Sequence, residues 1–150
     1  MIISKGLKER VKRMSSGDFA ALIRTGVEEY SKPNGDQEIS ATILKQGAWA
    51  ASKIGDKFFQ HALSERAGIT YETRIEQIMI GREIILHPRS KRKIVESIPE
   101  CIDNESRLAK LNMLAARAFR RCDYSTTAKK FSLHSQAHRK TVSDLRQNVQ

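Results

Sequence analysis

Arg117, Arg120 and Arg121 stand three and four positions apart, the spacing that brings side chains to one side of a helix. Guanidinium forks in that array suit phosphate oxygens, which they can bind in pairs. A second basic run follows with Lys129, Lys130, Gln136, Arg139, Lys140 and Arg146. Gln and Arg are the side chains that make paired hydrogen bonds to adenine and guanine edges, whereas Lys and Arg on phosphates position a protein without reading sequence. Ser135, just before Gln136, has the side chain to cap a helix that would present them. Lys91, Arg92 and Lys93 form a further basic cluster. The chemistry these residues offer is anion binding. The last third has only Phe119, Tyr124 and Phe131 as aromatics, too few to interleave as a stacking platform for single strands.

Bond-making chemistry finds little support. His134 and His138 are four apart, the spacing of a metal-binding pair, and Cys122 is nearby. Their surroundings are strongly basic, which repels cations, and they read as solvated histidines. Cys101 and Cys122 lack a local histidine and read as small buried hydrophobes. Two cysteines cannot build a disulfide framework or fill a four-ligand zinc site. His61, between Phe59 and Leu63, reads as a core or boundary residue, and Glu72, Glu76 and Glu83 as surface charge. No Gly-rich phosphate loop, nucleophile elbow or zinc helix motif occurs. The expectation is a non-enzymatic protein without cofactor or metal.

Charge placement agrees with the basic runs. The chain has 150 residues, 27 Lys plus Arg and 17 Asp plus Glu, a net charge of +10. Residues 37–86 are neutral with six of each sign, while residues 105–150 hold ten basic and three acidic residues. That asymmetry marks an anion-binding face, with nucleic acid as the expected partner and duplex DNA preferred to RNA. The length suits one structural domain. No apolar run approaches a membrane span and the N-terminal residues carry no secretory pattern, so a cytoplasmic protein is expected. An amphipathic helix with an arginine face can also lie on an anionic membrane, which gives the stripe an alternative use.

The elements that must position these residues are helical throughout, so the fold class is all-α, a compact multi-helix bundle. Phe19, Leu22, Ile23, Val27 and Tyr30 mark a first helix that Ser31-Lys32-Pro33-Asn34-Gly35 stops. A helix from about Gln37 carries Ile39, Ile43, Leu44, Ala48, Ala51 and Ile54, with Gly55-Asp56 as a break. Phe58, Phe59, Ala62 and Leu63 predict a short helix that Gly68 closes, and Thr70 caps the next, which runs to His87-Pro88. Asp103 or Asn104 caps a helix bearing Leu108, Leu111, Leu114, Ala115 and Phe119 opposite the arginines. Cys122-Asp123-Tyr124-Ser125 reads as a linker before two short helices.

Two segments have the spacing of a helix-turn-helix. In Leu63–Ile75, Ser64 takes the small position of the first helix, Gly68 the turn, Ile69 the buried corner and Thr70 the cap of the second. In Ser125–Lys140, Ala128 takes the small position, Phe131 and Leu133 the corner, and Ser135 the cap. Both resemble the motif of bacterial DNA-binding regulators. The first departs from it in having Arg74 at a usually aliphatic place, and the second in having Ser132 for glycine and His138 for an aliphatic. The resemblance implies a transcriptional or plasmid/phage-type regulator acting as a homodimer or higher homo-oligomer. Residues 1–122 would be helical scaffold and residues 123–150 a basic helix-turn-helix-like segment of the same domain. An RNA-binding or nucleoprotein-assembly factor, or an adaptor docking an acidic partner, fits the same charge pattern.

Overall fold

The computed structural model describes residues 37–53, 55–86 and 96–148. Among them are four α-helices and no strand: α1 (Gln37–Lys53), α2 (Lys57–Leu86), α3 (Ile98–Arg121) and α4 (Ser125–Asn148). Each packs on the next in chain order. This is the all-α bundle the periodicity predicts. The expected helix over residues 19–30, its stop at 31–35 and the basic run at 89–93 lie outside the described residues.

The α1 helix buries Ile43, Leu44, Ala48 and Ala51, the face read from the sequence, together with Ala41 and Ala50. Its end is chemically explicit. Gly55, at φ +80°, donates to the Ser52 carbonyl, and Asp56 donates to the Ala51 carbonyl, the paired closure that favours glycine in the left-handed region. The Asp56 carboxylate then accepts from the Phe59 amide at 3.0 Å and opens α2.

The α2 helix corrects the first expectation of a turn. It runs without a break through Gly68, and the Thr70 hydroxyl, instead of capping a new helix, donates to the Arg66 carbonyl one turn back. A Cβ on Gly68 would lie 2.8 Å from the Phe119 ring, so the glycine permits α3 to approach rather than ending a helix. Tyr71 is 2% exposed in the core, and Ile69, expected in the buried corner, is 39% exposed.

The α3 helix starts at Ile98, not at Asp103 or Asn104. Ser97 accepts from the Glu100 amide while the Glu100 carboxylate accepts from the Ser97 amide, a reciprocal cap with Pro99 in the first turn. Leu108, Leu111, Ala115 and Phe119 are buried as predicted. The expected linker is a tight turn, with Asp123 at φ 64°.

Beyond that turn α4 is one helix of 24 residues, where two short ones were expected. Ala128, Phe131, Ser135 and Val142 recur every three, four and seven residues, and all are buried. Phe131 stacks on Phe119 with ring centroids 5.5 Å apart and planes at 12°. Ser135, predicted as a cap, is interior to the helix, and its hydroxyl donates to the Ala109 carbonyl at 2.7 Å. The docking surface on α3 is continuous, so α4 stays helical through Ser132 and Leu133 to follow it. Residues of all four helices share one core, which Ala128 and Phe131 of α4 complete.

Candidate nucleic-acid interface

A buried polar cluster fixes the helices that carry the basic residues. Glu105 on α3 accepts from Arg82 Nη1 of α2 at 2.8 Å and from His138 Nδ1 of α4. Arg82 also holds Glu96, at 3.1 Å from Nη2, and Asn104 donates to the other Glu96 oxygen. Burial by itself would raise the Glu105 pKa, but the hydrogen bonds and charges of Arg82 and His138 outweigh it and hold the carboxyl below its ordinary value. His138, expected to be solvated, is thus half-buried and paired. On the far side of α3, Arg107 binds Glu38 of α1 through both carboxylate oxygens. Arg82 and Arg107 thus join helices through carboxylate partners.

The basic residues on the outer face do not. Among the described residues no carboxylate lies within ion-pair distance of Lys45, Lys110, Arg117, Arg120, Arg121, Arg139 or Arg146. Two adjoining grooves between α3 and α4 collect five of these. One of about 520 Å³ is lined by Lys110, Arg139 and Arg146, and the next, of about 240 Å³, by Arg117, Arg120, Gln136 and Arg139. Met113 and Arg139 are common to both, and no carboxylate among the described residues lines either. Arg120 donates to Ser132 Oγ at 3.3 Å, and Arg139 reaches Met113 Sδ at 3.1 Å, so both guanidinium groups are held across the groove. Lys45 of α1 extends the face: burial first, then Arg121, Arg117 and Lys110, lowers the pKa of its ammonium. The three cations among those causes place Lys45 in their shared positive field.

Family models, curated proteins and solved structures yield no match to this chain.

The predicted residues divide into three groups. Arg117, Arg120, Gln136, Arg139 and Arg146 line the grooves and are exposed. At about 100° per residue, Lys129 and Lys140 fall on the flank of α4 that carries Gln136, and both are exposed. Arg121 leans the other way, into a depression between α1 and α2. Lys130 sits apart with its ammonium 5.8 Å from the Phe131 ring centroid, and Ser135 is buried and committed to Ala109. Ser135 lines the floor of the second groove, 4% exposed, with its hydroxyl already bonded. His134 is exposed as expected; His61 is also exposed, 3.6 Å from Glu65, and does not belong to the core. Cys122 is buried as read, whereas Cys101 is half-buried beside Arg82.

Lys110 and Lys45 were missed. Lys110 lies seven residues before Arg117, two helical turns on the same stripe, so extending the arginine period backwards would have found it. Lys45 belongs to a helix with no other basic residue on that flank, and only the fold, which brings it within electrostatic reach of Arg121, Arg117 and Lys110, joins it to the face. Among the described residues no three His, Cys, Asp or Glu side chains gather as a metal site, and no helix is long and apolar enough to cross a membrane.

Proposed function

We propose that this protein is a non-enzymatic nucleic-acid-binding protein that grips the phosphate backbone of duplex DNA through the face formed by α3 and α4. The observation that carries this reading is the pair of grooves containing Lys110, Arg117, Arg120, Arg139 and Arg146 with no lining carboxylate among the described residues. Lys110 to Arg120 spans about 15 Å of helix, the axial rise of about four phosphates on one strand.

Geometry favours backbone contact over base readout. Neither helix-turn-helix-like segment contains a turn, so neither supplies a protruding recognition helix. Two helices packed side by side measure about 20 Å across, wider than the major groove at about 12 Å. That width does accommodate both phosphate rows flanking the minor groove of B-DNA, which is only about 6 Å wide. A-form RNA, with a wide shallow minor groove, separates those rows differently and is bound less well. Gln136 and Arg139 line the groove beside α3 and work as phosphate ligands. A regulatory role would rest on occupancy of DNA. The homo-oligomer expected from the sequence fits the same proposal, because a second copy doubles the phosphates engaged.

Competition between random duplex DNA, duplex RNA and single strands at physiological salt tests the proposal. Duplex DNA should bind most tightly, and the Arg117→Gln, Arg139→Gln double variant should lose affinity equally for all duplex sequences. Binding confined to RNA, or no binding to any of the three, would refute it.

A further inference from the structure

A separate cleft of about 150 Å³ lies where α1 meets α2, lined by Ala48, Trp49, Ser52, Gln60, Ser64 and Arg121. Ser64 is 1% exposed, and among the described residues its Oγ has no hydrogen-bond partner. Gln46 Oε1 and Asn112 Oδ1 share that condition among the described residues, but both are acceptors, whereas Ser64 has a proton to donate. Helical Thr42, Thr70, Thr73 and Thr141 all return their hydroxyl proton to the carbonyl four residues back. A buried hydroxyl left unbonded is costly, and a hydrogen-bond acceptor placed in the cleft would remove that cost.

The charge of the cleft selects the acceptor. Arg121 brings a guanidinium, Lys45 lies within its electrostatic reach, and the Lys53 ammonium sits 5.6 Å from the Trp49 ring centroid. Among the described residues no carboxylate lines the cleft, and Glu65, next to Ser64, accepts from the Tyr124 hydroxyl at 3.2 Å. Ser52, Ser64, Gln60 and Arg121 all offer donors. The volume equals that of about five waters, enough for a tetrahedral oxyanion and part of its hydration shell.

We propose that this cleft binds a phosphate group, with the Arg121 fork on two oxygens and the Ser64 and Ser52 hydroxyls donating to the others. The group could arrive as the terminal phosphate of a nucleic-acid strand or as a small free phosphate. Only the first source rests on the nucleic-acid reading.

Trp49 is the only tryptophan in the chain, so its fluorescence reports occupancy directly. Inorganic phosphate is titrated into the full chain at ionic strength held constant with chloride. Short duplexes with and without a 5′-phosphate are then added as competitors. A saturable change is expected, weakened about tenfold by Arg121→Gln and severalfold by Ser64→Ala. Ser64→Ala should melt no lower than the parent, which separates lost binding from lost folding. Stronger competition by the 5′-phosphorylated duplex assigns the site to a strand end, and equal competition by the two duplexes assigns it to free phosphate. No saturable response beyond chloride would overturn the proposal, as would an undiminished response in both variants, since phosphate would then sit on the outer face. Loss of the phosphate response with salt-dependent DNA binding intact would overturn the cleft site alone.

Discussion

Replacing Lys45 by Gln should make the protein more stable and a poorer ligand for DNA. Lys45 is half-buried, and Arg121, Arg117 and Lys110 all disfavour its charge. Like-charge neighbours of this kind cost a few tenths of a kcal/mol each after solvent screening, so removing the cation should stabilise by about 1 kcal/mol. For a chain of this length that raises Tm by about 2–4 °C. Because its pKa is lowered on folding, the folded state holds the Lys45 proton less readily than the unfolded state. The penalty is therefore full below the folded value and relieved as pH rises through it. Added salt should likewise stabilise the parent more than Lys45→Gln. Binding moves oppositely. Loss of one phosphate contact lowers the slope of log K against log salt by about 0.9 and affinity at physiological salt by about fivefold. Differential scanning calorimetry and fluorescence anisotropy with a labelled duplex measure both. A variant that melts lower with unchanged DNA affinity would show that Lys45 is a packing residue and refute the reasoning.

Three further outcomes follow from the packing. Glu105→Gln should cost about 2 kcal/mol at neutral pH, because Arg82 loses one carboxylate but keeps Glu96. The Glu105 pKa is lowered on folding, so its contribution is present above the ordinary glutamate value near 4.3 and lost as pH falls below it; urea midpoints of parent and variant should converge in acid. Gly68→Ala should destabilise by about 1–2 kcal/mol, since the added methyl meets the Phe119 ring, whereas Gly81→Ala, with nothing within 4 Å, should stabilise by up to about 1 kcal/mol in thermal melts. Ser132→Gly should destabilise by about 0.5–1 kcal/mol, because residue 132 is interior to a helix; a helix-turn-helix would be helped by glycine there, so a higher Tm would contradict the continuity of α4.

The fold class and the arginine stripe were legible because both are local. Residues 108, 111, 115 and 119 bury one side of α3 while 117, 120 and 121 project from the other, as helical period alone dictates. The two turns were not legible. Gly68 carries a turn signal by type, yet it marks where the Phe119 ring crosses α2, a contact 51 positions away in sequence. Ser132 and Ser135 look like turn and cap residues, but α4 has a continuous partner surface on α3, and tertiary packing overrides local preference. The same distance rule hid the chemistry of His138, whose partner Glu105 is 33 residues away. Sequence reading found the basic side chains and misjudged how they are mounted.

The most direct test is the salt dependence of affinity for random duplex DNA. With five or six of the seven cations on phosphates, log K should fall against log salt with a slope of about −5, and micromolar binding should persist at physiological salt. A slope near zero, or loss of all binding at physiological salt, would contradict a phosphate-gripping face.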